Sequence, residues 1–191
     1  MLTNMELAAA FSDRTKANLV AMETQGTLLS DEREDTSHLP FAALVTCTTD
    51  DLPYLLDAAD VGVYLVCRRL VKRKADREIP GRLPGVIGLF TLVAHPEMGH
   101  LKADQHWRDN HAPLALRVHT AMSHYNQLSI VHRFAGPEWD GFALCGFDTI
   151  EDLRTRFFNT KEGEAAINED VARFSDHKKS PRRIIATETR F

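Results

Sequence analysis

The strand-like segments in the second half of this 191-residue chain are apolar on both faces, which limits the folds that the chain can adopt. In the first of these segments, Val86, Phe90 and Leu92 lie on one face. Ile87 and Leu89 lie on the other face, because successive side chains of a strand point in opposite directions. Both faces of the sheet therefore need a cover that keeps them from water.

The apolar pattern predicts the order β-α-β-β-α-β between residues 84 and 191. The predicted strands cover residues 85–93, 125–134, 141–147 and 183–189, and the predicted helical stretches cover residues 99–122 and 149–174. This is the order of the ferredoxin-like split βαβ motif, an antiparallel sheet with both helices on one face. We therefore predict an α+β fold in which a second sheet, from the first half or from another subunit, covers the open face. Two such sheets would enclose an interior that can hold a ligand.

The first half of the chain has a weaker pattern. Residues 4–29 have a helical composition, and residues 41–48, 50–58 and 61–71 predict a strand, a short helix and a strand. The charged stretch 72–84 contains Pro and Gly and predicts a connecting loop. We expect two units. The first, residues 1–83, is a degenerate or partial ferredoxin-like half with an N-terminal helix in place of an opening strand, and the second is a ferredoxin-like domain at residues 84–191.

Composition and charge exclude several classes of partner and setting. The net charge of −4 disfavours nucleic-acid binding, which needs a basic surface. No apolar stretch approaches the roughly 20 residues of a membrane span, and no signal peptide is expected at the N-terminus. Cys47, Cys67 and Cys145 are far apart and outside any C-x-x-C pattern, so no disulfide framework is predicted. A reduced, cytoplasmic setting fits these cysteines.

The segment 106–115 contains an ionisable residue on a buried helical stripe. His111 lies within about 40° of Trp107 and Leu114 at about 100° per residue. Pro113 follows, and it bends the helix because it has no N–H to donate. A buried His beside a bend indicates a site, although a core His bonded to a backbone carbonyl would give the same pattern. We take His111 as the candidate catalytic residue and Trp107 as a candidate substrate-binding residue.

Histidine spacing argues against a metal site. Seven of the nine histidines lie between His95 and His132, and many of them form pairs that are five residues apart. On an α-helix five residues turn by about 140°, so His106 and His111 are not expected to share a face. The chain has no H-x-x-x-H pattern, phosphate-binding loop, dinucleotide fingerprint or G-x-S-x-G motif. We expect neither a metal nor an organic cofactor.

The predicted strand 125–134 has polar and apolar residues on each face. One face carries Asn126, Leu128, Ile130 and His132, and the other carries Tyr125, Gln127, Ser129, Val131 and Arg133. The sequence leaves open which face borders the cavity. Either set has the mixed composition that is typical of a small-molecule pocket. We take the first set as candidate substrate-binding residues.

Three separated segments resemble the EthD family. Residues 106–114, HWRDNHAPL, resemble the family's H-W-x-x-x-H-A-P-L helix, and residues 140–153 resemble its third strand and second helix start. Residues 172–176, ARFSD, resemble the segment before its last strand. The three motifs occur in order within residues 84–191. Residues 82–86 also look like the junction in tandem versions of the family.

The resemblance implies a fold of the dimeric α/β-barrel type, present either as a homodimer or as an internally fused pseudo-dimer. Relatives include muconolactone isomerases and polyketide cyclases, which use neither metals nor organic cofactors, and EthD itself is tied to ether-degrading oxygenase systems. One departure concerns the third strand, where the family usually has a Glu and a Trp. This chain has Leu144 and Gly146 there, so a carboxylate partner for the helix His is lost and room is gained. Leu144 therefore joins the candidate substrate-binding residues.

Two functions of different classes remain as expectations. The first is a cofactor-free enzyme, of isomerase, cyclase or lyase type, that acts on a hydrophobic carbonyl-bearing molecule such as a lactone or polyketide. In it His111 would be the general acid/base, since imidazole moves protons near neutral pH. The second is a non-catalytic binding or accessory protein of a degradation or oxygenase system. The lost Glu favours the second function, and the buried His favours the first.

Overall fold

Eight strands close into an antiparallel β-barrel in the computed structural model, which describes residues 3–74 and 79–191. Their order around the barrel is β2-β3-β1-β4-β7-β8-β6-β9, and β9 returns to β2. A short strand, β5, pairs with the end of β9 beside β6. The strands are β1 (Thr3–Phe11), β2 (Thr27–Asp31), β3 (Ala43–Cys47), β4 (Gly62–Lys72), β5 (Gly81–Arg82), β6 (Val86–Leu92), β7 (Met122–Ala135), β8 (Gly141–Phe147) and β9 (Ile184–Arg190). The protein is thus an α+β protein, as its sequence predicts.

Helices lie on the outer face of this barrel. They are α1 (Arg14–Glu23), α2 (Leu52–Ala58), α3 (Gly99–His106), α4 (Ala112–Val118), α5 (Ile150–Thr155) and α6 (Lys161–Phe174), with a π-helical turn at Trp107–His111 between α3 and α4. Among the described residues, none of the helices has the length and apolar character needed to cross a membrane.

The first half contains the opening strand that its sequence did not predict. Residues 3–11 form β1, which pairs with β3 and β4, and helix occurs only at Arg14–Glu23 within the predicted helical stretch. Ala8 and Ala10 have high helix propensity, but here they face the barrel interior, where small side chains leave room for aromatic rings. Asp13 then starts α1 by accepting hydrogen bonds from the N–H groups of Thr15 and Lys16.

Both faces of the sheet are buried, as the two-sided apolar pattern predicts. The first half supplies the cover through antiparallel pairing of β4 with β7 and of β2 with β9. The interior, where the sequence predicts a ligand cavity, is filled by a cluster of aromatic side chains. These are Phe41, Tyr64, Trp139 and Phe142, whose ring centroids lie 5.5–6.1 Å apart.

A partly buried ion pair joins the two halves of the chain. Arg69 on β4 binds the Asp104 carboxylate on α3 with both terminal nitrogens, at 2.8 and 2.5 Å. The Ser129 hydroxyl on β7 donates to the same carboxylate at 2.6 Å. Helix α3 is therefore anchored to a strand of the first half.

Residues 75–78 of the predicted connecting loop lie outside the described residues.

Candidate functional site

A cavity of about 320 Å³ lies between the outer face of the sheet and the helices of the second half. Most of its wall is apolar, contributed by Phe90, Leu92, Ala115, Ala143, Phe157, Phe158, Ile167, Val171 and Phe174. The wall also holds polar side chains, which are Thr91, His111, His119, Tyr125, Asn168, Ser175, His177 and Ser180. The cavity therefore lies outside the barrel, on the face of β7 that carries Tyr125.

A π-helical turn shapes the helix beside the cavity. The Ala112 N–H bonds to the carbonyl of Trp107, five residues back, and Pro113 lies at the start of α4. The sequence predicts a bend at Pro113. The structure instead has a π-helical turn just before the proline, and this turn accommodates one extra residue in the helix. The Trp107 carbonyl also accepts a hydrogen bond from Gln127 Nε2 at 3.0 Å, which ties the turn to β7.

The π turn brings His106 and His111 onto one carboxylate. His106 Nε2 lies 2.7 Å from Oδ1 of Asp170, and His111 Nδ1 lies 2.9 Å from its Oδ2. The prediction that these histidines cannot share a face is wrong, because it assumed the turn angle of an α-helix. A π turn takes more residues per turn, so residues five apart come together.

Asp170 on α6 orients the His111 ring. Burial raises the pKa of Asp170, but the hydrogen bonds from His111 and His106 outweigh burial, so the pKa lies below its usual value. The ionised carboxylate can only accept hydrogen bonds, so Nδ1 of His111 carries the proton that it donates. The Nε2 atom of His111 is then the nitrogen left for a ligand. Asp170 supplies from a helix the carboxylate partner that β8 lacks.

His119 is held by a different partner. Its Nδ1 donates to the backbone carbonyl of Phe157 at 2.6 Å, and its ring packs against Phe157 and Phe158 with centroids 4.3 and 5.5 Å apart. Burial lowers the pKa of His119, and the hydrogen bond to the Phe157 carbonyl only partly opposes this effect. No role for His119 was predicted from the sequence. The sequence feature that could have indicated His119 is its position eight residues after His111, at the flank of the same buried helical stripe.

The Tyr125 hydroxyl accepts two hydrogen bonds from its neighbours. Trp107 Nε1 donates to it at 3.0 Å and Gln127 Nε2 donates at 3.1 Å. Burial raises the pKa of Tyr125, so the hydroxyl keeps its proton at neutral pH. With its oxygen already accepting two bonds, this hydroxyl can offer its own hydrogen to an acceptor in the cavity.

The comparison with protein families locates the second-half site within a known domain. Residues 95–178 match the family described as the EthD domain. We call residues 95–178 the EthD domain after this match, which covers 84 of the 191 residues of the chain. His106, His111, His119, Tyr125 and Asp170 lie within it, and the resemblance predicted from the sequence is confirmed there. No curated protein matches the chain.

Two solved structures resemble the whole chain rather than the EthD domain alone. One is described as an "anthrone oxidase-like protein"; it shares 12% identity, with a TM-score of 0.54, over 99% of this chain and 90% of that one. The other is described as a "putative monooxygenase from Lactobacillus acidophilus NCFM"; it shares 9% identity, with a TM-score of 0.44, over 100% of this chain and 94% of that one. At this identity the first comparison supports the fold, the α+β barrel described above.

The EthD domain brings together only some of the residues predicted for the site. Trp107 and His111 both line the cavity. Leu128, Ile130 and Leu144 are part of the packed barrel interior instead. Their side chains point away from the helices, because they alternate with Tyr125 and Gln127 along the sheet.

The two remaining predicted residues also lie apart from the cavity of the EthD domain. Asn126 shares the interior side of β7 and is only partly buried. His132 is exposed near the end of β7, where its ring packs edge-on against Phe134 with centroids 4.7 Å apart. A register shift in the pairing of β4 with β7 separates His132 from Ile130.

The sequence predicts free space at Gly146, where the EthD family usually has a larger residue. In the structure another side chain fills this space. A methyl group added at Gly146 would lie 1.7 Å from Cε1 of His124, so the His124 imidazole occupies that space. Among the described residues, no group of three or more His, Cys, Asp or Glu side chains is arranged to hold a metal ion.

Proposed function

We propose that the EthD domain binds a hydrophobic, carbonyl-bearing small molecule and transforms it by acid/base chemistry that needs no cofactor. The observation that carries this proposal is the cavity of about 320 Å³, whose mostly apolar wall includes the polar side chains of His111, His119 and Tyr125. An apolar cavity with a few convergent polar groups is the usual form of a small-molecule site. His111 is the general acid/base, because Asp170 fixes its Nδ1 and leaves Nε2 for the ligand.

The lining of the cavity favours an aromatic ligand. Aromatic rings from Phe90, Phe157, Phe158 and Phe174 form much of the wall, and such rings pack well against other rings. The structural neighbour described as anthrone oxidase-like points the same way, since an anthrone is a tricyclic aromatic ketone. A polyketide-like ketone or an aromatic lactone fits this description.

We also infer that each half of the chain is a ferredoxin-like unit and that the protein is an internally fused pseudo-dimer. Within each half the elements follow the order β-α-β-β-α-β, with two helical segments in the place of the last helix of the second half. The four strands of each half also have the same spatial order, second-third-first-fourth. Two copies of one unit would give this repetition. Of the two copies, only the second has the long helices that border the cavity.

Replacement of His111 by Asn tests the enzymatic function. An Asn amide can still donate to Asp170, so His111→Asn removes Nε2 while it keeps the buried carboxylate paired. We expect wild-type protein to bind and convert at least one member of a panel of aromatic ketones, aromatic polyketides and lactones. Turnover by the variant should fall about 10²–10⁴-fold at an unchanged melting temperature.

The matched control is His38→Asn, because His38 is an exposed loop residue far from the helices of the second half in sequence. It should bind and convert the same compounds as wild-type protein. Full turnover by His111→Asn would remove His111 from the mechanism. A panel in which no compound binds, measured by calorimetry, would contradict the proposed function as a whole.

The alternative function is non-catalytic binding, as an accessory protein of an oxygenase or degradation system. The predominance of apolar side chains in the cavity wall favours it, because apolar burial alone can hold a ligand. In that case calorimetry would detect binding, and the compound would be recovered unchanged with both wild-type protein and His111→Asn.

A further inference from the structure

Two of the three imidazoles that line the cavity, those of His111 and His119, have surroundings that differ in a way that the proposed function does not use. His111 is bonded to a carboxylate, whereas His119 is bonded to a neutral backbone carbonyl. Pairs of titratable groups in contrasting environments often divide the roles of a reaction between them. The position of His119 in the cavity wall raises the question of which role it takes.

The hydrogen bond to Phe157 determines the tautomer of His119. A carbonyl oxygen only accepts hydrogen bonds, so Nδ1 of His119 must carry a hydrogen. In the neutral ring the lone pair is then on Nε2. Among the described residues, the Nε2 atom of His119 has no hydrogen-bond partner, and the His119 side chain lines the cavity.

One hydrogen bond holds the His119 ring in this orientation, and two more hold the end of α4 just before it. Besides the bond from His119 to Phe157, the Asn159 N–H donates to the carbonyl of Val118 at 3.0 Å. The Asn159 side chain donates to the carbonyl of Arg117 at 3.2 Å. The end of α4 is thus joined to the segment between α5 and α6, and Phe157 and Phe158 pack against the imidazole. Such fixed geometry is what a proton-transfer group needs.

We propose that His119 is a second catalytic residue, a general base that takes a proton from a carbon that is beside the ligand's carbonyl group or conjugated to it through a ring. The C–H bond breaks and an N–H bond forms at Nε2 of His119. The electron pair of the C–H bond moves into the conjugated π system, where it forms a carbon–carbon double bond, and the carbonyl π electrons move to oxygen. The Tyr125 hydroxyl donates a hydrogen bond to the resulting enolate oxygen. Return of the proton to carbon completes a cycle that needs no oxidant or reductant.

Two further observations agree with this role. Burial lowers the pKa of His119, which keeps the ring neutral and able to accept a proton near neutral pH. The Tyr125 oxygen accepts bonds from Trp107 and Gln127, and a hydroxyl that accepts hydrogen bonds becomes a stronger donor. The ligand class is then a ketone or lactone with at least one acidic hydrogen on a carbon that is beside its carbonyl group or conjugated to it through a ring. This inference rests on the proposed function.

Hydrogen exchange of anthrone tests the role of His119. Anthrone is a flat ketone with acidic hydrogens conjugated to its carbonyl group, and their replacement by deuterium is followed by NMR in deuterated buffer without oxygen. We expect wild-type protein to accelerate exchange over buffer alone. His119→Asn keeps a donor for the Phe157 carbonyl but removes Nε2, so it should bind anthrone as wild-type protein does. Its exchange rate should fall at least about 100-fold. His38→Asn serves again as the control.

The outcomes separate this inference from the proposed function. Equal exchange by wild-type protein and His119→Asn would overturn the role of His119 and leave the proposed function standing. Binding without accelerated exchange would also overturn it, and would favour the non-catalytic alternative. Absence of anthrone binding would count against both.

A measurement on wild-type protein covers the case in which His119→Asn fails to fold. Nitrogen-15 NMR of the histidine rings distinguishes the two neutral tautomers. We expect His119 to carry its hydrogen on Nδ1 and to show a bare Nε2 whose signal shifts when anthrone is added. A hydrogen on Nε2 would overturn the proposal, since that nitrogen would have no lone pair to accept a proton.

Discussion

Gly141 sets the position of the Trp107 indole above β8. A methyl group at residue 141 would lie 2.6 Å from Cζ3 of Trp107 and 3.0 Å from the carbonyl oxygen of Leu128. Because the indole is buried and hydrogen-bonded to Tyr125, it has little freedom to move away. We expect Gly141→Ala to lower the free energy of unfolding by about 1–3 kcal/mol, as overpacking of a core does. The variant should also bind cavity ligands more weakly, as chemical denaturation and calorimetry would show.

A second substitution separates the clash at Gly141 from other effects of the alanine. Trp107→Phe removes the outer part of the ring that the new methyl group would meet. In that background we expect Gly141→Ala to cost much less than it does in wild-type protein. Equal costs in the two backgrounds would show that contact with Trp107 is not the cause.

Helix α3 is attached to the barrel by a contact whose strength depends on pH. The Nδ1 of His100 lies 2.7 Å from Oδ1 of Asp140, whose Oδ2 accepts the Ala94 N–H at 2.6 Å. The hydrogen bond to Asp140 raises the pKa of His100 above 6.5, although burial opposes the rise. A pKa that is higher in the folded state stabilises the fold fully below the unfolded value. That stabilisation is lost as the pH rises through the folded-state pKa.

Melting temperatures at two pH values test this contact. We expect His100→Gln to melt below wild-type protein by a larger margin at about pH 5.5 than at about pH 8.5, on either side of the usual histidine range. Asp140→Asn should show the same pH trend, since it removes the charge that the imidazolium faces. A margin that is independent of pH, or larger at high pH, would contradict the assigned direction.

The whole molecule closes its barrel with its own strands. β4 pairs with β7 and β2 pairs with β9, so the edges that join the two halves are both satisfied within one chain. An unpaired edge is what drives strand-to-strand association, and a closed barrel removes it. We therefore expect sedimentation equilibrium to give the mass of a single chain, 21.5 kDa, over a wide range of protein concentration. A stable mass of twice that value would show that a second copy covers another surface.

Several features of the protein follow from its sequence alone. The order of strands and helices in the second half follows from apolar periodicity, because that periodicity reflects the backbone geometry of each element. The burial of Trp107 and His111 follows for the same reason. The three EthD-like motifs were also enough to identify the domain at residues 95–178.

Only the tertiary structure decided which residues meet at the site. His111 is bonded to Asp170, 59 residues later, and His119 to Phe157, 38 residues later, and no local pattern encodes such pairings. The π turn that unites His106 with His111 depends on how the helix meets β7 around Pro113. β1 forms a strand because closure of the barrel outweighs the helix propensity of its alanines. Both faces of β7 are apolar enough to be buried, so the sequence could not show which of them borders the cavity. Packing between distant segments placed the cavity on the face that carries Tyr125.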